Sequence, residues 1–195
     1  MTVFQEGLNA LTQFITVIFI WKDCCHSINN NYFQSFFLIF RYIVLLTFAS
    51  FHSFFSILYH IRMSLKLDSH PIDNKWRKHD QSSINIACIG YSLAISNNIF
   101  YALFVFFVKY YHINHVYDDS STSFSRRMHI FTGACMYLLP MIIYDVNFFI
   151  ISFGMLLVGC SIFVLNDQLM GYGSALFHLS LIPYHKNIIT YINNY

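Results

Sequence analysis

Against a strongly apolar background, three ionisable side chains stand where chemistry could be done: His60, Asp80 and His178. Each lies at or near the end of an apolar run. Ionisable residues at membrane depth cost roughly 2.5–3.5 kcal/mol on insertion scales, so they face a bundle interior and mark function. Imidazole nitrogens are common zinc ligands, and a neighbouring carboxylate can act as base on an attacking water, the combination that a hydrolytic metal site needs. Ser56 lies one turn before His60, and His52 one turn before Ser56, so all three share one helical face. Ser174 stands in the same relation to His178. A plainer account competes with the chemical one. Histidines are frequent at membrane interfaces, Asp80 at a helix start is an ordinary N-cap, and serines in membrane helices bond their own backbone or let helices approach. His70, His79, His112 and His115 fall in polar stretches and read as solvated.

The elements that must position these groups follow from composition. The chain has 195 residues, of which 56% are hydrophobic and 10% charged, whereas soluble domains carry roughly 25% charged residues. A ~30 Å hydrocarbon layer needs about 20 apolar residues per helix, and the runs here are continuous rather than alternating, which excludes a membrane barrel. The expected fold is all-α: a polytopic transmembrane helical bundle, a single domain over 1–195. Seven spans are placed at about 3–21, 36–60, 80–96, 98–111, 128–144, 148–165 and 172–191. The stretch 80–111 is split at Ser96, Asn97 and Asn98; a single tilted helix there would lower the count to six. The segment 62–79, with Pro71, reads as a surface loop. Asp118, Asp119, Ser120 and Ser121 read as a turn and cap, and Asp145 separates two spans. Pro183 could kink the last helix, and Arg41, near the start of the second, can snorkel to the interface. The five cysteines have no metal-finger spacing and give no disulfide framework. The start of the chain lacks a basic n-region and cleavage site, so the first apolar stretch is expected to be retained as a helix.

With seven spans, the loops after spans two, four and six share one side of the membrane. His60, Asp80 and His178 therefore converge on that side at similar depth. The basic residues Lys66, Lys75, Arg77, Lys78, Arg126 and Arg127 fall in those same loops, against Lys22 and Lys186 opposite, and the positive-inside rule then puts the N-terminus in the cytosol. Asp68, Asp73, Asp118 and Asp119 lie among them but count little in that rule.

The order Ser56-x-x-x-His60, Asp80 opening the next span, and a histidine near the start of the seventh resembles the CREST superfamily of seven-span proteins. That group includes alkaline ceramidases, adiponectin-type receptors, GPI-anchor remodelling proteins and the myomaker group. The likeness covers about 51–185 and is nearest to the myomaker and post-GPI-attachment lipase branch. It rests on FFSILYH at 54–60, Lys78-His79-Asp80, GYSLA at 90–94, VKYYH at 108–112 and GSALFH at 173–178. The resemblance implies zinc held by His60 and His178, with Asp80 beside the attacking water and Ser56 as the motif serine. It implies hydrolysis of an ester or amide bond in a membrane lipid or a GPI-anchored substrate. The chain departs from the family at Ser174, where the first histidine of an H-x-x-x-H pair is expected. A hydroxyl is a poor zinc ligand beside imidazole, so the third position falls to water, to a recruited His79 or His112, or to nothing. His185 lies seven residues, about 10 Å, beyond His178, too deep to share its ion. The alternative implied by the same resemblance is a non-enzymatic myomaker-like fusion protein or scaffold. A receptor role ranks last, and myomaker-like proteins run opposite to the orientation above. The expected partners are lipids, with no nucleic acid and a homo-oligomer left open. The location is multi-pass in the plasma membrane or an endomembrane.

Overall fold

The computed structural model describes residues 2–30, 35–67, 74–118 and 121–195. Among them it has seven helices and no strand: α1 (Val3–Asn30), α2 (Phe36–Ser64), α3 (Lys75–Ser96), α4 (Ile99–Tyr117), α5 (Ser123–Tyr144), α6 (Val146–Val164) and α7 (Gly173–Asn194). Asp68, His70, Pro71, Asp73, Asp119 and Ser120 lie outside the described residues.

Helix breaks fall where side chains can satisfy backbone groups that a helix end leaves without partners. Asn97 closes α3 in the left-handed conformation, at φ 49°, and Asn98 caps α4 by accepting from Phe100 N and Tyr101 N. The stretch 80–111 is therefore two helices. Asp145 alone separates α5 from α6, and its carboxylate accepts from Asn147 N at 2.9 Å. Thr122 caps α5. Inside α5, Pro140 leaves the carbonyl of Met136 without its helical donor, and the Tyr101 hydroxyl of α4 donates to that oxygen at 2.5 Å. α7 runs through Pro183 without interruption.

Three expectations need correction. Asp80 is not an N-cap: α3 starts at Lys75, capped by Asn74, whose side chain accepts from Trp76 N. The segment 62–79 is not loop throughout, because α2 continues through Ser64 and α3 has begun by Lys75. Arg41 does not snorkel. It is 4% exposed and donates through Nε to Ala94 O at 2.6 Å and through Nη2 to Ile95 O at 3.2 Å, where the carboxyl end of α3 offers free carbonyls and negative dipole charge.

The helices pack in a ring, α1–α2–α3–α5–α6–α7 and back to α1, with α4 outside against α3 and α5. α7 also touches α2 and α3 across the middle. α3 is the hub, and its buried side includes Gln81, Ser82, Asn85, Ser92 and Ser96. The outer surface is apolar, with Phe100, Phe107, Ile143 and Val164 among its exposed residues. Three helices, α1, α2 and α6, are long and apolar enough to cross a membrane.

Candidate functional site

α2 and α7 bring His60 and His178 together. Both are buried, and their rings face edge-on with centroids 5.6 Å apart. Each ring is anchored at Nδ1 by α1. His60 donates Nδ1–H to Glu6 Oε2 at 2.7 Å. His178 directs Nδ1 at the Asn9 carbonyl, 3.2 Å away, with Thr12 Oγ1 at 3.3 Å. Thr16 ties the same turn by donating to His178 O at 2.8 Å. Neither Nε2 hydrogen-bonds to a described residue. A carboxylate or carbonyl at Nδ1 fixes the tautomer that leaves Nε2 as the lone-pair nitrogen, which is how metal-binding histidines are oriented.

Asp80 occupies the neighbouring α2–α3 seam. Its Oδ1 lies 3.8 Å from His52 Nδ1 and is buried without a hydrogen-bond partner among the described residues. Ser83 bridges the pair, standing 3.2 Å from His52 Nδ1 and donating to Asp80 O at 2.6 Å. Ser56 is buried on the α2 face between His52 and His60. Gln13 reaches from α1 to donate to Ser53 at 2.9 Å. Ser174 is buried near the start of α7, and its backbone N–H donates to Asn166 Oδ1 at 3.3 Å.

The histidines considered as recruited ligands are engaged elsewhere. His79 is half-buried and bonded to the Tyr117 hydroxyl at 2.8 Å. His112, expected to be solvated, is instead buried on α4, where it accepts from Lys109 at 3.1 Å and stacks on His129, with centroids 4.0 Å apart. His185 is held by Tyr91, at 2.9 Å, and by Leu181 O. Among the described residues, no group of three or more His, Cys, Asp or Glu is placed to hold a metal ion.

The donor set can nevertheless be tested against zinc. Two imidazoles on one tetrahedral ion, each with Zn–N of about 2.0–2.1 Å, have centroids roughly 5 Å apart, close to the 5.6 Å found here. The pair His60 and His178 therefore fits two positions, while position 174 offers a hydroxyl.

Sequence reasoning missed the polar face of α1. Glu6, Asn9, Gln13 and Thr16 are all buried, and their recurrence at helical spacing in an apolar run is the signal that could have found them. It also missed Lys109, wholly buried and donating to Asn85 Oδ1 and His129 O. No family model matches this chain, and no curated protein or solved structure matches it either.

Proposed function

We propose that the chain is a seven-span membrane protein of CREST type. Its α1–α2–α3–α7 cluster would hydrolyse an ester or amide bond of a membrane lipid or a GPI-anchored substrate. The observation that carries the reading is the anchoring of His60 and His178 at Nδ1, which turns the two imidazoles toward one another with neither Nε2 bonded to a described residue. The location of polar groups supports the membrane part. Glu6, Asn9, Gln13 and Lys109 are inside and phenylalanines outside, a distribution that suits lipid as the surrounding solvent.

In this reading His60 and His178 hold zinc. A zinc ion there supplies an activated water at neutral pH and polarises the scissile carbonyl. Glu6 keeps His60 in its ligating tautomer. Asp80, with one oxygen lacking a hydrogen-bond partner among the described residues, would be the residue to act as base toward such a water. Ser56 lines the approach between His52 and His60.

A second reading, a non-enzymatic fusion factor or scaffold with a degenerate site, is favoured by Ser174 at the third ligand position. Zinc per protein, measured by elemental mass spectrometry on detergent-purified chain, separates the two. Near-stoichiometric zinc that is lost in His178→Ala is expected for the hydrolase. No zinc in the wild type, with zinc gained in Ser174→His, would sink it and leave the scaffold.

A further inference from the structure

The end of the bundle opposite the histidines carries a second polar site. Nineteen residues of α2, about 28 Å, separate Arg41 from His60. There a cavity of about 160 Å³ is lined by Arg41, Asn97, Asn98, Tyr144, Tyr191 and Tyr195, among others. Two features give it a chemical preference. The Arg41 guanidinium spends N–H groups on two α3 carbonyls, and among the described residues no Asp or Glu side chain lines the cavity, so these carbonyl dipoles are its side-chain charge's partners there. The Tyr191 hydroxyl, in a residue with no exposed surface, is buried without a hydrogen-bond partner among the described residues. Asp145 sits outside the lining and accepts from Tyr195 at 2.9 Å.

A fixed cation beside an unused O–H donor suits a phosphate group, because both bonds to it are charge-assisted. A second, more apolar hollow of about 150 Å³ adjoins the first, sharing Ser96, Asn98 and Tyr144 and continuing along Tyr101, Leu139 and Ile143. Ile143 is 81% exposed on the outer face of α5, so this hollow leads from the cavity toward the lipid side. We infer that Arg41 and Tyr191 bind the phosphate of a phospholipid headgroup, with the start of an acyl chain lying along Leu139 and Ile143 between α4 and α5. The inference rests on the membrane reading above but not on the hydrolytic one.

The test is a binding titration on detergent-purified chain, followed by thermal shift, with three probes: dioctanoyl phosphatidic acid, dioctanoylglycerol and inorganic phosphate. Phosphatidic acid is expected to bind most tightly. Tyr191→Phe, which removes only the hydroxyl, should weaken it roughly tenfold. Arg41→Gln retains an N–H donor for the end of α3 and should weaken it at least as much; if that variant fails to fold, Tyr191→Phe decides alone. Dioctanoylglycerol binding as tightly as phosphatidic acid, or a Tyr191→Phe titration matching wild type, would overturn the phosphate site. Inorganic phosphate matching phosphatidic acid would support the anion site and refute the lipid as its source. The zinc content of Tyr191→Phe should equal that of wild type, so failure here and failure of the hydrolase reading are separable.

Discussion

Gly90 allows a close approach of Phe48 on α2 to α3, and a methyl group there is a sharp test of the packing. A Cβ at position 90 would stand 2.1 Å from both Cγ and Cδ2 of Phe48 and 2.7 Å from its Cβ. Carbon atoms in contact prefer ~3.5–4.0 Å, so the overlap with the ring is roughly 1.5 Å. Turning the ring removes only part of it, because Cβ of Phe48 is fixed to the α2 backbone. The two helices must therefore part. Overpacking of this kind costs about 1–3 kcal/mol, and a chain of this size loses roughly 2–4 °C of melting temperature per kcal/mol. Gly90→Ala is thus expected to melt roughly 2–12 °C below wild type in detergent, followed by intrinsic fluorescence. Phe48→Ala is itself destabilising, since the ring packs against the buried core. Combined with Gly90→Ala it should cost less than the sum of the single changes, by about 1 kcal/mol or more, because the pair shares one contact. Strict additivity, or a Gly90→Ala variant that melts with the wild type, would refute the close α2–α3 packing. The seam that holds His52 and Asp80 would then be placed wrongly too.

Two further outcomes follow from single contacts. If Glu6 orients His60 for metal, Glu6→Ala should lower zinc affinity about 10–100-fold in a chelator competition, the usual effect of losing such an outer partner; unchanged affinity would reduce Glu6 to packing. Asp145 is held below the ordinary carboxyl range by the hydrogen bond from Tyr195, aided by the N–H groups of Phe148 and Asn147. A depressed carboxyl adds stability above its unfolded pKa, near ~3.9, and loses it as pH falls through the lower folded value. Asp145→Ala should therefore melt below wild type by a constant margin from pH 7 to pH 5. That margin should shrink below about pH 4, and a margin independent of pH throughout would assign the loss to other causes.

What could be read in advance was the local grammar of the chain. Asn97 and Asn98 mark a break because asparagine tolerates the left-handed conformation and caps the following helix, and α3 and α4 part there. Helix parity led to the expectation that His60, Asp80 and His178 converge; the two rings do meet, while Asp80 stands beside His52 in the neighbouring seam. Tertiary satisfaction was not legible. Arg41 looked free to snorkel because the carbonyls it caps belong to α3, more than fifty positions away. Lys109 sits in the run Val108-Lys109-Tyr110, with nothing local to show that His129 O and Asn85 would receive its ammonium. Lys75, Arg77 and Lys78 resembled loop residues, although charges are well placed on the ends of helices near headgroups. That misreading made Asp80 a cap instead of a seam residue.

The balance between a hydrolytic cluster and a scaffold can be weighed by what the cluster costs. Both side-chain polar atoms of Asn9, Oε1 of Gln13 and Oδ1 of Asp80 are buried without partners among the described residues. Each such atom costs about 1–3 kcal/mol, and apolar residues of similar volume would hold helices together as well or better. A scaffold needs none of these groups. Their presence around His60 and His178 is a standing penalty to stability, of the kind seen where a site must engage a polar reactant. Ser174 argues the other way, but from one position and one ligand. Even a wild type free of zinc would leave the orphaned amide and carboxylate atoms to be explained, and the search would then turn to a polar substrate group that they bind directly.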